Sequence, residues 1–433
     1  MTIGFDIVVV GAGPAGSLAA LTAARAGVTV ALIERGPYPG SKNVYGGVLY
    51  ARILDSVIPD WPERAPIQRW VTRRSTMVLT EHGSVAMDVR GDAWSQEPHN
   101  GVTAFRSEFD SWLADEAVDA GATLIPSTTA IGLLYDGGTV VGVRTDRPEG
   151  DIGARVVIAC DGVNSLLARE AGLYDGFDAS NFTLGVKEVI GFDKAEIDKR
   201  FGVRGREGVD IETLGGTSGV SGGGFVYTNL ESVAVGVVLS LAGLRAAALR
   251  PEEILRRFKT HPSIAPLVEG GELLEYSAHL IPEGGLDAMP ELVTDGMMVT
   301  GDAAGMCLAA GVFLEGVNFA MATGIAAGET AAEAISAGDV SRTGLGGYRR
   351  RLDGSFVLPD HRRFQRIPRL LLSERVQERY SRFVVDTATE LFTVRNTAPK
   401  VGLWRIMGAA RRRYGVRWRD VIRDGFTLIR GFK

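Results

Sequence analysis

The sequence predicts an α/β fold, and three observations carry that prediction. An apolar strand at residues 5–10 runs into the glycine turn Gly11-Ala-Gly13-Pro14-Ala15-Gly16 and then a helical stretch at 17–26. Two later apolar strands, at 156–159 and around Val299, each end in a turn that carries an acid, Asp161 and Asp302. Between them, residues 184–239 alternate in short runs (LGVKEVIGF, FVYTN, VAVGVVLSL) separated by glycine turns, the period-two pattern of an antiparallel sheet. The expected layout is a nucleotide-binding unit in three sequence pieces (1–80, 100–175, 290–340). An antiparallel unit (81–99, 176–289) is interleaved with it, and a helical C-terminal region (341–433) follows.

The first unit is the most informative. A second strand, near residues 28–33, ends in Glu34-Arg35, about 20 residues past the glycines. In such a unit Gly11 permits the tight turn, Gly13 lets a pyrophosphate approach the backbone, and Gly16 lets the helix pack on the strand. The helix N-terminus at Pro14-Ala15 faces the phosphates, and Glu34 bonds ribose hydroxyls. The unit predicts dinucleotide binding and does not separate FAD from NAD.

The later turns add to it. The strand at 156–159 leads into Cys160-Asp161-Gly162-Val-Asn-Ser165 and a helix containing Arg169. The strand at Val299 leads into Gly301-Asp302-Ala-Ala and, through Gly311, to Glu315-Gly316-Val317-Asn318 and a helix at 319–335. An acid placed after a strand can bond a polyol chain. A helix opening at Gly316 can stabilise negative charge on a reduced ring.

The ordered set GAGPAG…ER, CDGVNS and GDAAG resembles the glutathione-reductase-type FAD flavoproteins of the hydroxylase and geranylgeranyl-reductase branch, over nearly the whole chain. That resemblance implies FAD as cofactor, Asp302 on the ribityl chain, and a contact from Arg106 in FRSEFDSWL. More narrowly, GSKNVYGGVLY, VKEVIGF, GFVYTN, HPSIAPL and YSAHLIPEGG resemble the FixC-type branch of electron-transfer flavoprotein:quinone oxidoreductases. The branch implies one FAD, electrons from an electron-transfer flavoprotein, and quinone as acceptor; 81–99 and 176–289 then become the substrate and quinone unit. The loop at 40–50 is expected to pass the pyrophosphate and approach the flavin ring. Gly46 and Gly47 let its backbone come close, and Lys42 and Asn43 donate to phosphate or flavin oxygens. Two other enzymes share the fold: a prenyl (geranylgeranyl) reductase and an NADPH-dependent flavin monooxygenase. A flavin-stabilised scaffold without turnover is the non-enzymatic alternative.

Composition narrows the choice. The 433 residues are 45% hydrophobic, enough for a well-buried core. Only two cysteines occur, Cys160 and Cys307, which excludes a disulfide framework and an iron–sulfur cluster held by this chain alone. The larger quinone oxidoreductases of the family carry a cysteine-rich cluster domain, so the resemblance implies a small ferredoxin-like iron–sulfur partner. A single GxGxxG unit argues against a tightly bound nicotinamide. Five scattered histidines show no metal-ligand spacing, so no metal is expected, and neither is nucleic acid. His279 stands as a candidate proton shuttle beside the ring, and no catalytic acid or base is otherwise assigned.

Cysteine usage fits a reducing cytoplasm, and the N-terminus reads as a strand rather than a signal peptide. The apolar run at 303–314 is too short to span a bilayer, which takes about 20 residues, and within it lies the stretch 306–314. It can line a quinone tunnel or belong to the core. Residues 342–433 hold 22 basic and 8 acidic residues, a net of +14 within a chain of net −5. Trp418, Val421, Ile422, Phe426 and Ile429 share one helical face, with Arg417, Arg419 and Arg423 elsewhere. The tail is expected to meet either an acidic partner or the anionic inner face of the cell membrane.

Overall fold

The computed structural model describes residues 4–42, 47–174, 178–311 and 313–432. Its first sheet centres on Phe5–Val10, flanked in parallel by Ile152–Ala159 on one side and Val30–Ile33 on the other. Thr123–Ile125 and Met297–Val299 extend the two edges in parallel. Ile7, Val8 and Val9 are fully buried, as expected of a strand covered on both faces. Strand order reverses around Phe5–Val10, so a crevice opens at its C-terminal end, where ligands of such sheets bind.

One face of this sheet carries the helix Pro14–Arg25, and the helix Val317–Ala337 packs against that helix. Small residues set their separation. A Cβ on Gly324 would lie 2.1 Å from the Ala15 carbonyl oxygen, and one on Gly328 would lie 2.5 Å from that of Ala19.

The second sheet runs in the order Glu272–Pro282, Phe182–Gly191, Ser232–Ser240, Gly222–Thr228, Glu207–Gly215, Ile67–Thr80, Val102–Ala104, Gly47–Leu49. The expected antiparallel pattern holds except where Glu207–Gly215 pairs in parallel with Ile67–Thr80, placing Asp210 opposite Arg74. More than a hundred residues separate these two strands, and a long connection permits parallel pairing. By sheet membership, residues 47–49, 67–80 and 102–104 go with the second sheet, although the sequence reading put them with the nucleotide unit. Their apolar runs are short, and periodicity does not say which sheet a strand joins.

The C-terminal region is helical and rests on the body. Ser381–Phe392 packs on the strands Ile67–Thr80 and Gly83–Arg90, while Trp418–Gly431 packs on Val357–Phe364 and Ile367–Leu371. Asp424 anchors that last helix from its inner side by accepting hydrogen bonds from Arg375 (3.0 Å) and the Tyr380 hydroxyl (2.9 Å).

Candidate functional site

The site grows from the turn after the first strand. Gly11 has φ +101°, and a Cβ there would lie 2.3 Å from the Cys160 carbonyl oxygen, so only glycine fits. A Cβ on Gly16 would lie 1.8 Å from the Gly11 carbonyl oxygen, which fixes how closely helix and turn approach. Gly13 is different. The nearest atom to a Cβ there is Arg106 Nη2 at 3.8 Å, so the space above Gly13 is open. Buried Pro14 and Ala15 begin the helix, and no side chain caps its N-terminus. An uncapped N-terminus beside open space suits a phosphate.

Glu34 is buried and already oriented. Its Oε2 accepts the Ala12 N–H at 3.1 Å and its Oε1 accepts the Gly36 N–H at 2.6 Å. A carboxylate accepts about four hydrogen bonds, so capacity remains for hydroxyl donors. Arg35 and Lys42 are exposed, and Gly47 opens the short strand Gly47–Leu49. Asn43 and Gly46 lie outside the described residues.

Arg106 starts the helix Arg106–Asp119. Its Nε and Nη2 bond the two carboxylate oxygens of fully buried Asp110 at 2.6 and 2.8 Å. This fork fixes the guanidinium beside Gly13. Asp161 follows the strand Ile152–Ala159, just before Gly162. Its Oδ2 accepts the Leu167 N–H at 3.1 Å, and its Oδ1 is buried without a partner. Burial pushes this carboxyl up from its ordinary value.

The third turn meets the first. A Cβ on Gly301 would lie 2.9 Å from the Ala15 Cβ. Asp302 lines a small pocket with Ser165, Tyr174, Phe182 and Pro282. Gly316 and Val317 open the helix Val317–Ala337. Within its first turn, Asn318 is buried; its Nδ2 donates to Glu315, and its Oδ1 has no partner. The second sheet reaches the same place through His279, on Glu272–Pro282. Burial lowers the pKa of this histidine; Asp302 opposes that shift, while Arg106 and Arg35 reinforce it. The glycine turn, Arg106, Asp161, Asp302 and His279 thus converge in one crevice between the sheets.

Two family models match the chain. One, described as FAD dependent oxidoreductase, matches residues 6–174; the other, described as ETF-QO, ubiquinone-binding, matches residues 182–281. Among curated proteins, the "Probable electron transfer flavoprotein-quinone oxidoreductase YdiS" of Escherichia coli (strain K12) is 42% identical over 94% of this chain and 95% of its own. The chain belongs to the FixC-type electron-transfer flavoprotein–quinone oxidoreductase family. Protein FixC of Salmonella typhi is 40% identical over 98% of each chain, and that of Bradyrhizobium diazoefficiens is 41% identical over 85% of each. Among solved structures, a geranylgeranyl bacteriochlorophyll reductase-like protein from Thermoplasma acidophilum superposes with a TM-score of 0.75 at 22% identity, over 98% of this chain and 99% of its own. A flavin-dependent brominase follows at 0.66 and 16% identity, over 98% of each chain. These two share the fold.

This FixC-type chain is an FAD-dependent oxidoreductase, and its crevice fits FAD. The open cradle at Gly13, the spare acceptor capacity of Glu34, and the orphaned buried oxygens of Asp161 and Asn318 are features that a bound dinucleotide would complete.

A buried group beside the crevice was missed in the sequence: Tyr50, Arg74, Asp210 and Glu212. The signal was present in VDIETLGG. Acids at positions i and i+2 of an otherwise apolar strand fall on one face and call for a buried partner.

Proposed function

We propose that this FixC-type chain takes electrons from an electron-transfer flavoprotein, works with a small ferredoxin-like iron–sulfur partner, and delivers electrons through FAD to a quinone. The observation that carries the reading is the match of residues 182–281 to the ubiquinone-binding family model, because that segment brings His279 to the FAD crevice beside Asp302. Bound FAD supplies the redox chemistry. The chain's own residues bind and orient it. The turn Gly11, Gly13, Pro14, Ala15, Gly16 cradles the pyrophosphate with Arg106, Glu34 holds the ribose, and Asp302 with Gly301 holds the ribityl chain. Asp161 and Gly162 line the crevice, Gly316, Val317 and Asn318 at the helix start would meet the ring, and Arg35, Lys42 and Gly47 would complete the site.

The donor assignment is supported by the single dinucleotide motif, and the iron–sulfur partner by two cysteines that are too few for a cluster. The apolar surroundings of the crevice suit an apolar acceptor. Met306, Leu308 and Ala310 are buried just past Asp302, and Phe313 lies against Phe364 and Phe432 at ring distances of 5.5 and 5.8 Å. Met306, Leu308 and Ala310 belong to the main hydrophobic core, on which Phe313 packs, so of the two readings of this run the structure gives the core. Among the described residues no helix is long and apolar enough to cross a membrane. The helix Trp418–Gly431 nevertheless turns Trp418, Ile422, Phe426 and Ile429 outward, with Phe426 61% exposed. Trp404 and Phe392 are 79% and 84% exposed on the same C-terminal region. With arginines around them, these residues suit peripheral contact with an anionic inner membrane face.

The donor side is tested anaerobically. Reduced electron-transfer flavoprotein should bleach the flavin absorbance of the FAD-loaded chain, and NADPH should leave it yellow. Fast bleaching by NADPH alone would replace this reading with a monooxygenase.

A further inference from the structure

Asp210 and Glu212 lie on one face of the strand Glu207–Gly215, and both are buried. Arg74, on the adjoining strand, is their shared partner: its Nε lies 3.2 Å from Asp210 and its Nη2 lies 3.1 Å from Glu212. The Arg74 guanidinium lies over the Tyr50 ring, 5.6 Å from its centre. Glu315 completes the group and is electrostatically coupled to Arg74, Glu212 and Tyr50. Asp360 faces Glu315 from the helix Val357–Phe364. Tyr50 lies three residues past Gly47, and Glu315 immediately precedes Gly316, so the group spans two elements that border the crevice.

Charge cannot balance here with every acid ionised. Among the described residues, Arg74 stands against three carboxylates, all partly or fully removed from water, with Asp360 and its neighbour Arg363 beside Glu315, and like charges so close oppose joint ionisation. The other oxygen of Glu212, Oε2, is buried and accepts no hydrogen bond. A carboxylate oxygen without a donor is the poorest place for negative charge and the natural place for a proton. Burial, then the neighbouring Asp210, push Glu212 up to about 9, and burial also raises Asp210 and Glu315 above their ordinary values.

We propose that Glu212 holds a proton at neutral pH and feeds it to the quinone as it is reduced, with Arg74, Asp210, Tyr50 and Glu315 keeping it there. The proposal rests on the quinone reading above. A quinone becomes a quinol by gaining two electrons and two protons, while the reduced cofactor is oxidised. A protein donor that hands over electrons alone brings no protons, so the two protons come in the end from water, and a buried protonated carboxyl can relay one of them. In one of the two transfers the O–H bond of the Glu212 carboxyl breaks, an O–H bond forms on a quinone oxygen, and the carboxylate regains its proton from water.

Three measurements on the FAD-loaded chain test this. In infrared spectra at pH 7, the wild type should show a carboxylic-acid C=O band that Glu212→Gln lacks and Glu212→Asp shifts. Quinol formation should fall about a hundredfold in Glu212→Gln, the lower end of what a positioned acid contributes, with bleaching by dithionite unchanged. Glu212→Asp should recover part of that rate. Folded-state stability supplies the third. A raised carboxyl pKa means the unfolded chain releases this proton first, so the wild type should lose stability relative to Glu212→Gln as pH rises above about 4.5. Identical spectra at pH 7, or equal quinol rates, would overturn the proposal. If Glu212→Gln does not fold, Glu212→Asp decides: a band left unmoved counts against Glu212. The infrared and stability results involve no quinone. If they hold while the wild type reduces no quinone, the acceptor reading has failed and not the protonation of Glu212.

Discussion

Gly13 and Gly16 sit three residues apart in one motif, yet they fail differently when substituted. A methyl on Gly16 strikes the Gly11 carbonyl oxygen and disturbs the fold itself. A methyl on Gly13 meets only an arginine tip at ordinary contact distance and projects into the space where a pyrophosphate fits. Gly13→Ala should therefore leave the melting temperature of the FAD-free protein unchanged and weaken FAD at least tenfold, about 1.4 kcal/mol, by fluorescence titration. Equal FAD affinity would move the phosphates elsewhere. The glycines, Glu34 and Asp302 could be picked out because each is a residue type that local backbone geometry or a ligand's polarity asks for, whereas Arg106 came only from the family resemblance. The Arg106–Asp110 fork was not weighed, although its i, i+4 spacing is plain in the sequence; nothing local says that the pair is buried. The Arg74 group was illegible in a stronger sense, since Arg74 and Asp210 lie 136 positions apart and meet through sheet pairing, and Tyr50 and Glu315 join them from other elements.

At the scale of elements, the contact between Pro14–Arg25 and Val317–Ala337 fixes where Asp302 stands relative to the glycine turn. Gly324 sits within the second helix, where glycine costs about 1 kcal/mol relative to alanine, so propensity alone makes Gly324→Ala stabilising. The contact argues the opposite sign: the new methyl would lie 2.1 Å from the Ala15 carbonyl oxygen, and neither helix backbone yields cheaply. Overpacking of this kind costs roughly 1–3 kcal/mol. Urea unfolding should show net destabilisation, with FAD weakened as Ala15 shifts; a more stable variant would mean that the helices are free to separate. The helix at 319–335, the strands of the first sheet and the strands at 184–239 were visible as apolar periodicity. The parallel pairing of Glu207–Gly215 with Ile67–Thr80 was not, because a strand's periodicity is the same for either partner direction.

Over the whole molecule, charge and apolar surface separate together. The basic C-terminal region carries a net of +14, and its last helix faces outward with its apolar side. Ile422, Phe426 and Ile429 of that helix are all more than half exposed. Deleting the last helix would be a poor test, since Phe432 covers Phe313 and Phe364 and Asp424 is tied to Arg375. Replacing Ile422, Phe426 and Ile429 with serine spares those contacts. The triple variant should keep FAD and lose flotation with phosphatidylglycerol vesicles. Wild-type flotation should weaken from 0.1 to 1 M salt, as the Debye length falls from about 10 to about 3 Å. Flotation unchanged in the variant would assign the surface to a protein partner.

The central claim, electron delivery to a quinone through FAD, is tested most directly on its acceptor side. The FAD-loaded chain is reduced without oxygen and mixed with a water-soluble short-chain ubiquinone, while flavin absorbance and quinol are followed together. The account predicts that the yellow colour returns on mixing, with one quinol formed per FAD. A flavin that stays bleached with quinone and recovers only when oxygen is admitted would contradict it.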